Sequence, residues 1–487
     1  MTIQPPLFLS FRGQGLTESN AQHRKGVENP LSAFCLTSLT GAVTVVMQVI
    51  SAAKKALEAR GVLFLISVLS VNCQVAAAET APSVGAVHLA EAIQRAIDWH
   101  PSITEARAQV LKQEQVAEVA RAGYYPQVSG GVRSGYEGRG TEREFTQALE
   151  LSVSQMLYDF GKVKSEVESE KAVLLQRKAQ LLMALDEIAQ STSRAVIEAW
   201  RFQQLERTAQ DQVDSLTTIM DLVATRYEKG AATKSDLAQS QTRVKSATAL
   251  ALQYRTQKQI WQSRLASLLG EQQAVRVVEE PARFTSFSCQ ASLDELDVVP
   301  AITAAMAQTK QAQAISNKAD ARLMPTLSLN PTVTHHIERP RWRTETDRDK
   351  TEYGVFLNVE VPLYQGGALR AEKREALAAE QAAEAAVESA RLSVTEVLLE
   401  SASQRETLRY HKSVLAEREK YSMQTRDLYQ QQYLELGSRP LLDLLNAEQD
   451  IYQTRLDQVN VQNDLSALGL SCASAKGQLR ALFELAD

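Results

Sequence analysis

Leu157-Tyr158-Asp159-Phe160-Gly161 and Leu363-Tyr364-Gln365-Gly366-Gly367 are the two stretches on which the fold turns. Each follows a segment of alternating polarity and opens a long charged run with few helix breakers. The first run breaks at Tyr227-Glu228-Lys229-Gly230-Ala231 and the second at Leu434-Glu435-Leu436-Gly437-Ser438. Tyr364 follows Tyr158 by 206 positions and Gly437 follows Gly230 by 207, so the chain states one plan twice. Self-similarity of this kind calls for a repeated architecture, with function sought where the repeats meet.

The run from Gly161 to Gly230 would reach about 100 Å as one continuous helix. Val213, Leu216, Met220, Val223 and Tyr227 are spaced alternately by three and four, the seam of a coiled coil. A helix returns from each break, Ser235 to Leu269 and Leu441 to Leu468, which predicts a long antiparallel helix pair in each half. Upstream, each half opens with a helix, Leu89 to Ala122 and Val298 to Leu323, closed by Pro126 and Pro325.

Between opening helix and long arm, each half reads as two strands. Gln127 to Tyr136 and Thr326 to Thr334 alternate with period two. Polar segments follow, Glu137 to Arg143 and Glu338 to Lys350. In the next strands Phe145, Leu149, Leu151 and Val153 oppose Thr146, Glu150, Ser152 and Ser154, while Tyr353, Val355, Leu357, Val359 and Val361 oppose Gly354, Asn358 and Glu360. Strands of about ten residues suit a tilted bilayer crossing. A soluble hairpin with one wet face has the same alternation. An export signal, and Tyr136, Tyr158 and Tyr364 at strand ends where an aromatic girdle would sit, favour the membrane. Four strands cannot enclose a usable lumen, so several chains must contribute.

The chain has 487 residues with only 13 Pro and 21 Gly, mostly clustered, which leaves long uninterrupted stretches. Lys54, Lys55 and Arg60 precede an apolar run from Val62 to Val71, and Ala76-Ala77-Ala78 forms a small-residue cleavage site: residues 47–78 read as a secretory signal starting at Met47. Residues 1–46 are then an extension or a mis-called start. Ser70-Val71-Asn72 before Cys73 lacks the residues expected for lipid modification, so cleavage after Ala78 is preferred. Residues 79–290 and 291–487 are the two repeats. Beyond residue 78 the chain carries 47 Lys and Arg against 55 Asp and Glu, which argues against a nucleic-acid partner.

Cys289 and Cys472 remain beyond residue 78, in an oxidising compartment, where they form either a bridge between the repeats or two buried thiols. No segment there has the roughly 20 apolar residues of a membrane helix. There is no phosphate-binding glycine loop, nucleophile elbow or His-Glu-x-x-His pair, and the adjacent His335 and His336 point to opposite faces of a strand, so neither an enzyme nor a cofactor is expected.

The paired motifs at 157–161 and 363–367, with the turns at 227–231 and 436–446, resemble the TolC family of outer-membrane channel proteins over residues 86–486. The resemblance implies a mainly α fold with a membrane β-barrel portion. Each half would be a helix, two strands, a long helix and a returning helix, and three copies would close a 12-stranded barrel continued by an α-helical periplasmic tunnel. It implies a passive homotrimeric exit duct in the bacterial outer membrane, opened by a periplasmic adaptor (a membrane fusion protein) with an inner-membrane ABC exporter or proton-driven pump. Carried over by position, Asp443 would form a pore ring, Asn446 stands where a second aspartate is expected, and Leu434 where a linking tyrosine is expected. Arg439 would be a link residue, with Ser235 and Asp236 at positions that receive such links. Lys229, Gly230 and Ala231, with Leu436, Gly437 and Ser438, would be the adaptor-docking tips. The segments Leu436 to Glu448 and Leu470 to Arg480 look most like members serving type I protein secretion. Multidrug efflux is the alternative, and a periplasmic coiled-coil scaffold without a pore a distant one.

Overall fold

The computed structural model describes residues 85–139, 142–290, 296–338 and 350–485, and in it the Leu-Tyr-Asp-Phe-Gly stretch is the joint where strand becomes helix. The readings of residues 1–46, of the signal at 47–78, and of most of the polar segment 338–350 lie outside the described residues. In chain order the elements are β1 (Ala86–Val87), α1 (Leu89–Trp99), α2 (Pro101–Arg121), β2 (Gln127–Arg139), β3 (Glu142–Tyr158), α3 (Lys162–Glu228), α4 (Lys234–Leu269), β4 (Arg276–Val277), α5 (Pro300–Ala321), β5 (Thr326–Glu338), β6 (Thr351–Glu360), α6 (Ala368–Gln431), α7 (Leu441–Ala475) and α8 (Leu479–Leu482).

The two joints solve one problem with different residues. At the first, Asp159 Oδ1 accepts from the Gly161 amide at 2.9 Å and Oδ2 from the Val163 amide at 2.6 Å, so one carboxylate satisfies two donors that α3 leaves free at its start. Phe160 and Gly161 both take left-handed backbone, φ 56° and 95°. The second joint has Gln365 in place of the aspartate, and there Gly366 and Gly367 make the turn at φ 62° and 88°, a conformation that suits glycine.

β2, β3, β5 and β6 form one antiparallel sheet in that order, with the two repeats joined at its centre by β3 and β5. Val132, Leu149, Leu151, Val333, Tyr353 and Val355 share the apolar face; cross-strand partners Val132–Leu149, Leu151–Val333 and Val333–Tyr353 fix the register. On the other face Ser129 Oγ lies 2.7 Å from Ser152 Oγ, Ser154 Oγ donates to Asn330 Oδ1 at 3.1 Å, and Arg133 pairs with Glu150 at 2.8 Å. β2, β3 and β5 run 13, 17 and 13 residues, longer than the expected ten. The segment 137–143, expected to be a polar connection, is strand through Arg139 and again from Glu142. His335 and His336 face opposite ways, His335 Nδ1 lying 2.8 Å from Thr351 Oγ1 and His336 Nε2 3.3 Å from Glu352.

Below the sheet, α3 runs 67 residues unbroken and α4 returns beside it, while α6 runs 64 residues and α7 returns. The opening helix of the first half differs from expectation: it is two helices, α1 and α2, broken at His100. Proline at 101 drives the preceding residue out of helical backbone, and His100 sits at φ −69°, ψ 125°. Its imidazole Nδ1 then accepts from the Ser102 amide and caps α2. The break lets α1 lay Ala92, Ile93, Ala96 and Ile97 into the main core with Leu185, Ile197, Leu265, Val277 and Phe284. Each large apolar side chain buried there contributes about 2 kcal/mol.

A second apolar cluster holds Cys289 and Cys472, which are bonded with their Cα atoms 5.1 Å apart. Buried Arg405 clasps the same loop, donating to the carbonyls of Thr285, at 2.7 Å, and Phe287. Burial, then the neighbouring Arg409, push its pKa below the usual value. Residues of both repeats therefore form one compact unit. Among the described residues no helix is long and apolar enough to cross a membrane.

Candidate periplasmic gate

The end of the helical hairpins farthest from the joints is built from both repeats. After α6 the chain takes one wide helical turn over Gln432–Leu436, reverses at Gly437 with φ 61°, and re-enters helix behind Pro440. The matching reversal in the first repeat is at Gly230, φ 75°. Leu441, Leu444 and Leu445, spaced to share one face of α7, bury against Leu216, Val223 and Tyr433. The predicted seam on α3 supplies Val213, Leu216 and Val223 to this cluster, whereas Met220 is not part of it, Tyr227 is exposed, and Ile219 and Leu222 join instead. Burial raises the pKa of the Tyr433 hydroxyl above 10.0, and the Arg226 guanidinium lies 4.9 Å from its ring centre.

Arg439 is held three ways within its own chain. Its Nη1 donates to Asp443 Oδ2 at 3.0 Å, its Nε to Gln432 Oε1 at 3.0 Å, and its guanidinium stacks 4.5 Å from the Tyr429 ring centre. Asp443 is thus half-buried and paired, on the wall of a groove of about 500 Å³ also lined by Tyr421, Thr425, Tyr429, Asn446 and Asp450. Neither Ser235 nor Asp236 bonds to Arg439 within the chain. Asp236 instead closes a capping box: its Oδ2 accepts from the Thr233 amide at 3.0 Å while Thr233 Oγ1 accepts from the Asp236 amide at 3.1 Å. Ser235 and all six tip residues, Lys229, Gly230, Ala231, Leu436, Gly437 and Ser438, are exposed. Leu434 tucks against the tip cluster, and its carbonyl accepts from Arg226 at 3.5 Å.

Two residues absent from the sequence reading hold this end together. Arg243 on α4 donates Nη2 to Asn446 Oδ1 at 2.9 Å and Nη1 to Gln449, tying the returning helices of the two repeats to each other. Glu448 on α7 is almost wholly buried, accepting from Ser215 on α3 and from Arg426 on α6 at 3.1 Å. The carboxylate side chain next to Ala447 on the buried face of α7 was the only available sign, since a charge on an apolar face needs a partner.

A sheet of two hairpins above two long helix pairs, stitched at their far end, is the geometry that the comparisons with known proteins match. The family model described as outer membrane efflux protein matches residues 92–271 and 294–468. The chain belongs to the outer membrane efflux protein family. It is an outer-membrane transport channel with its helices reaching into the periplasm, and not an enzyme. Outer membrane efflux protein BepC of Brucella suis biovar 1 (strain 1330) is 22% identical over 398 residues, covering 81% of this chain and 86% of that one. Pyoverdine export outer membrane protein OpmQ of Pseudomonas aeruginosa is 27% identical over 318 residues, 61% of this chain and 65% of that one. Among solved structures, the outer membrane protein VceC from Vibrio cholerae superposes with a TM-score of 0.70 at 19% identity, over 80% of this chain and 96% of that one; the likeness is one of fold.

Proposed function

We propose that this efflux-family channel is the passive exit duct of a tripartite export system. The observation that carries the reading is the four-stranded sheet: β2 and β6 are its two edges, one face is apolar and the other polar. Unpaired edges cannot stand in hydrocarbon, so β6 of one copy pairs with β2 of the next until three copies close a 12-stranded barrel. The polar face then lines the lumen and the helix pairs continue it as a periplasmic tunnel. Arg439, Asp443, Asn446, Ser235 and Asp236 form the gate, with Asp443 repeated three times around the pore. A periplasmic adaptor docks at Lys229, Gly230, Ala231, Leu436, Gly437 and Ser438 and, with an inner-membrane transporter supplying the energy, opens it.

The cargo we assign first is protein delivered by type I secretion through an ABC exporter, on the likeness of the tip segment Leu436 to Glu448 to members of that class. A second reading, efflux of small molecules by a proton-driven pump, is favoured by the relatives, one named for efflux and one for pyoverdine export. A photo-reactive residue placed at Ser438 in cells, with mass spectrometry of what it captures, tests both. An adaptor with an ABC exporter supports secretion, and an adaptor with a proton-driven pump supports efflux. Capture of no periplasmic partner overturns the docking reading.

A further inference from the structure

The polar face of the sheet carries an aromatic ring that nothing in a water-filled wall requires. In the four rows from Asn330 to His336 this face presents Gln127, Ser129, Gly131, Arg133, Ala148, Glu150, and the serines, threonines and histidine opposite them. Phe356 is the one large apolar side chain there among the described residues; Met156, one row nearer the helices, is half-buried. Phe356 pairs with Asn330 in the ladder and is 57% exposed. Its ring lies back over its own strand, and a Cβ added at Gly354 would stand 2.7 Å from the ring edge, so Gly354 is the seat that keeps the ring flat against the wall. Alternation puts Glu352 and Glu360 on the same face, one on each side of the ring at about 14 Å. Of the nearby cations, Arg133 is paired with Glu150, His336 lies against Glu352, and Lys162 donates to Thr326, the ladder partner of Glu360, and to the Met324 carbonyl; Glu360 itself is exposed.

An aromatic face flanked by carboxylates attracts organic cations, through the ring quadrupole and through charge, and stacks with their aromatic parts. We propose that Phe356, with Glu352 and Glu360, forms a lumen contact for aromatic organic cations in transit, repeated on each protomer. The inference rests on the closed barrel proposed above. A flat-lying ring leaves the passage open, so it slows such molecules without blocking the duct to ions. The contact is a property of the barrel wall and separate from the gate.

The test uses the full-length protein in planar bilayers in potassium chloride, with tetraphenylphosphonium as the probe and the half-blocking concentration as the readout. Phe356→Ser should raise that concentration about threefold, Phe356→Leu should do the same while keeping apolar volume, and Phe356→Tyr should retain the block. Glu360→Gln should weaken it further at low salt than at high salt. Unchanged block in open Phe356→Leu channels would overturn the proposal. So would a Phe356→Leu trimer that melts earlier with its block intact, which would make the ring a packing element of the seam between copies. Absence of any wild-type conductance would instead bring down the closed-barrel reading, and this contact with it.

Discussion

Arg243→Ala should weaken the closed tip, because that guanidinium makes both side-chain bonds recorded between α4 and α7 there, to Asn446 and Gln449. A hydrogen bond contributes about 1 kcal/mol net, and for a half-exposed arginine half of that is a fairer figure, so the pair is worth about 1 kcal/mol per chain. If three copies form the proposed trimer and its tip opens as a unit, the three contributions add to about 3 kcal/mol, close to a hundredfold shift toward the open tip. Open probability of single channels in planar bilayers reads this directly. Asn446→Ala should give a smaller shift in the same direction, and adding it to Arg243→Ala should change little, because the bond is already gone. An open probability that stays at the wild-type value in Arg243→Ala, in protein of unchanged helicity and heat stability, would refute the reasoning. Full additivity of the two substitutions would show that they act through separate contacts.

Three other outcomes follow from the same geometry. Arg439 partly neutralises Asp443 at 3.0 Å, so Arg439→Ala should raise the cation preference of the channel and Asp443→Ala should lower it, measured as reversal potentials in a salt gradient. The carboxyl of Asp186 is raised above its ordinary 3.8 by burial, against the pull of Arg480; a raised carboxyl adds most stability below its unfolded pKa and loses it as pH climbs through the folded one. The melting temperature of the wild type relative to Asp186→Asn should therefore be most favourable near pH 3.5 and fall toward pH 7, and a difference that grows with pH would contradict the assignment. Gly469→Ala should abolish assembly or lower melting sharply, since the new Cβ would stand 1.9 Å from the Phe284 carbonyl oxygen, a backbone atom that cannot turn aside; heat-stable trimers from this variant would refute the packing described for α7.

The arms and joints were legible because glycine and the aromatic pair recur at one interval, and helix length follows from the absence of breakers between them. α3 ends within two residues of Gly230. Strand pattern was legible for the same reason, through period two. What could not be read depends on partners distant in sequence. Pro101 marks the bend in the sequence, but what the bend achieves, the packing of α1 with Leu265 and Phe284, shows only in the folded chain. The strands run on to Arg139 and start again at Glu142, through charged residues that sequence patterning alone assigns to a loop. Asp443 and Arg439 were named from resemblance, but their mutual bond four residues apart shows only in the folded chain; the cap at Asp236 was readable in Thr233-Lys234-Ser235-Asp236 and was missed. Arg243 and Glu448 looked like ordinary charges of long helices until the second repeat was beside the first.

The sheet's central pairing has a consequence for how the chain reaches its final form. Ser154 and Asn330, joined side chain to side chain across β3 and β5, are 176 residues apart, with α3, α4 and α5 between them. Closing so long a stretch of unstructured chain is slow and entropically unfavourable, whereas α3 carries the chain away and α4 and then α5, both packed along it, bring it back to the sheet. If the sheet is part of the barrel proposed above, the helices act as the jig on which it is zipped, and a lesion deep in the coil should delay insertion of strands it never touches.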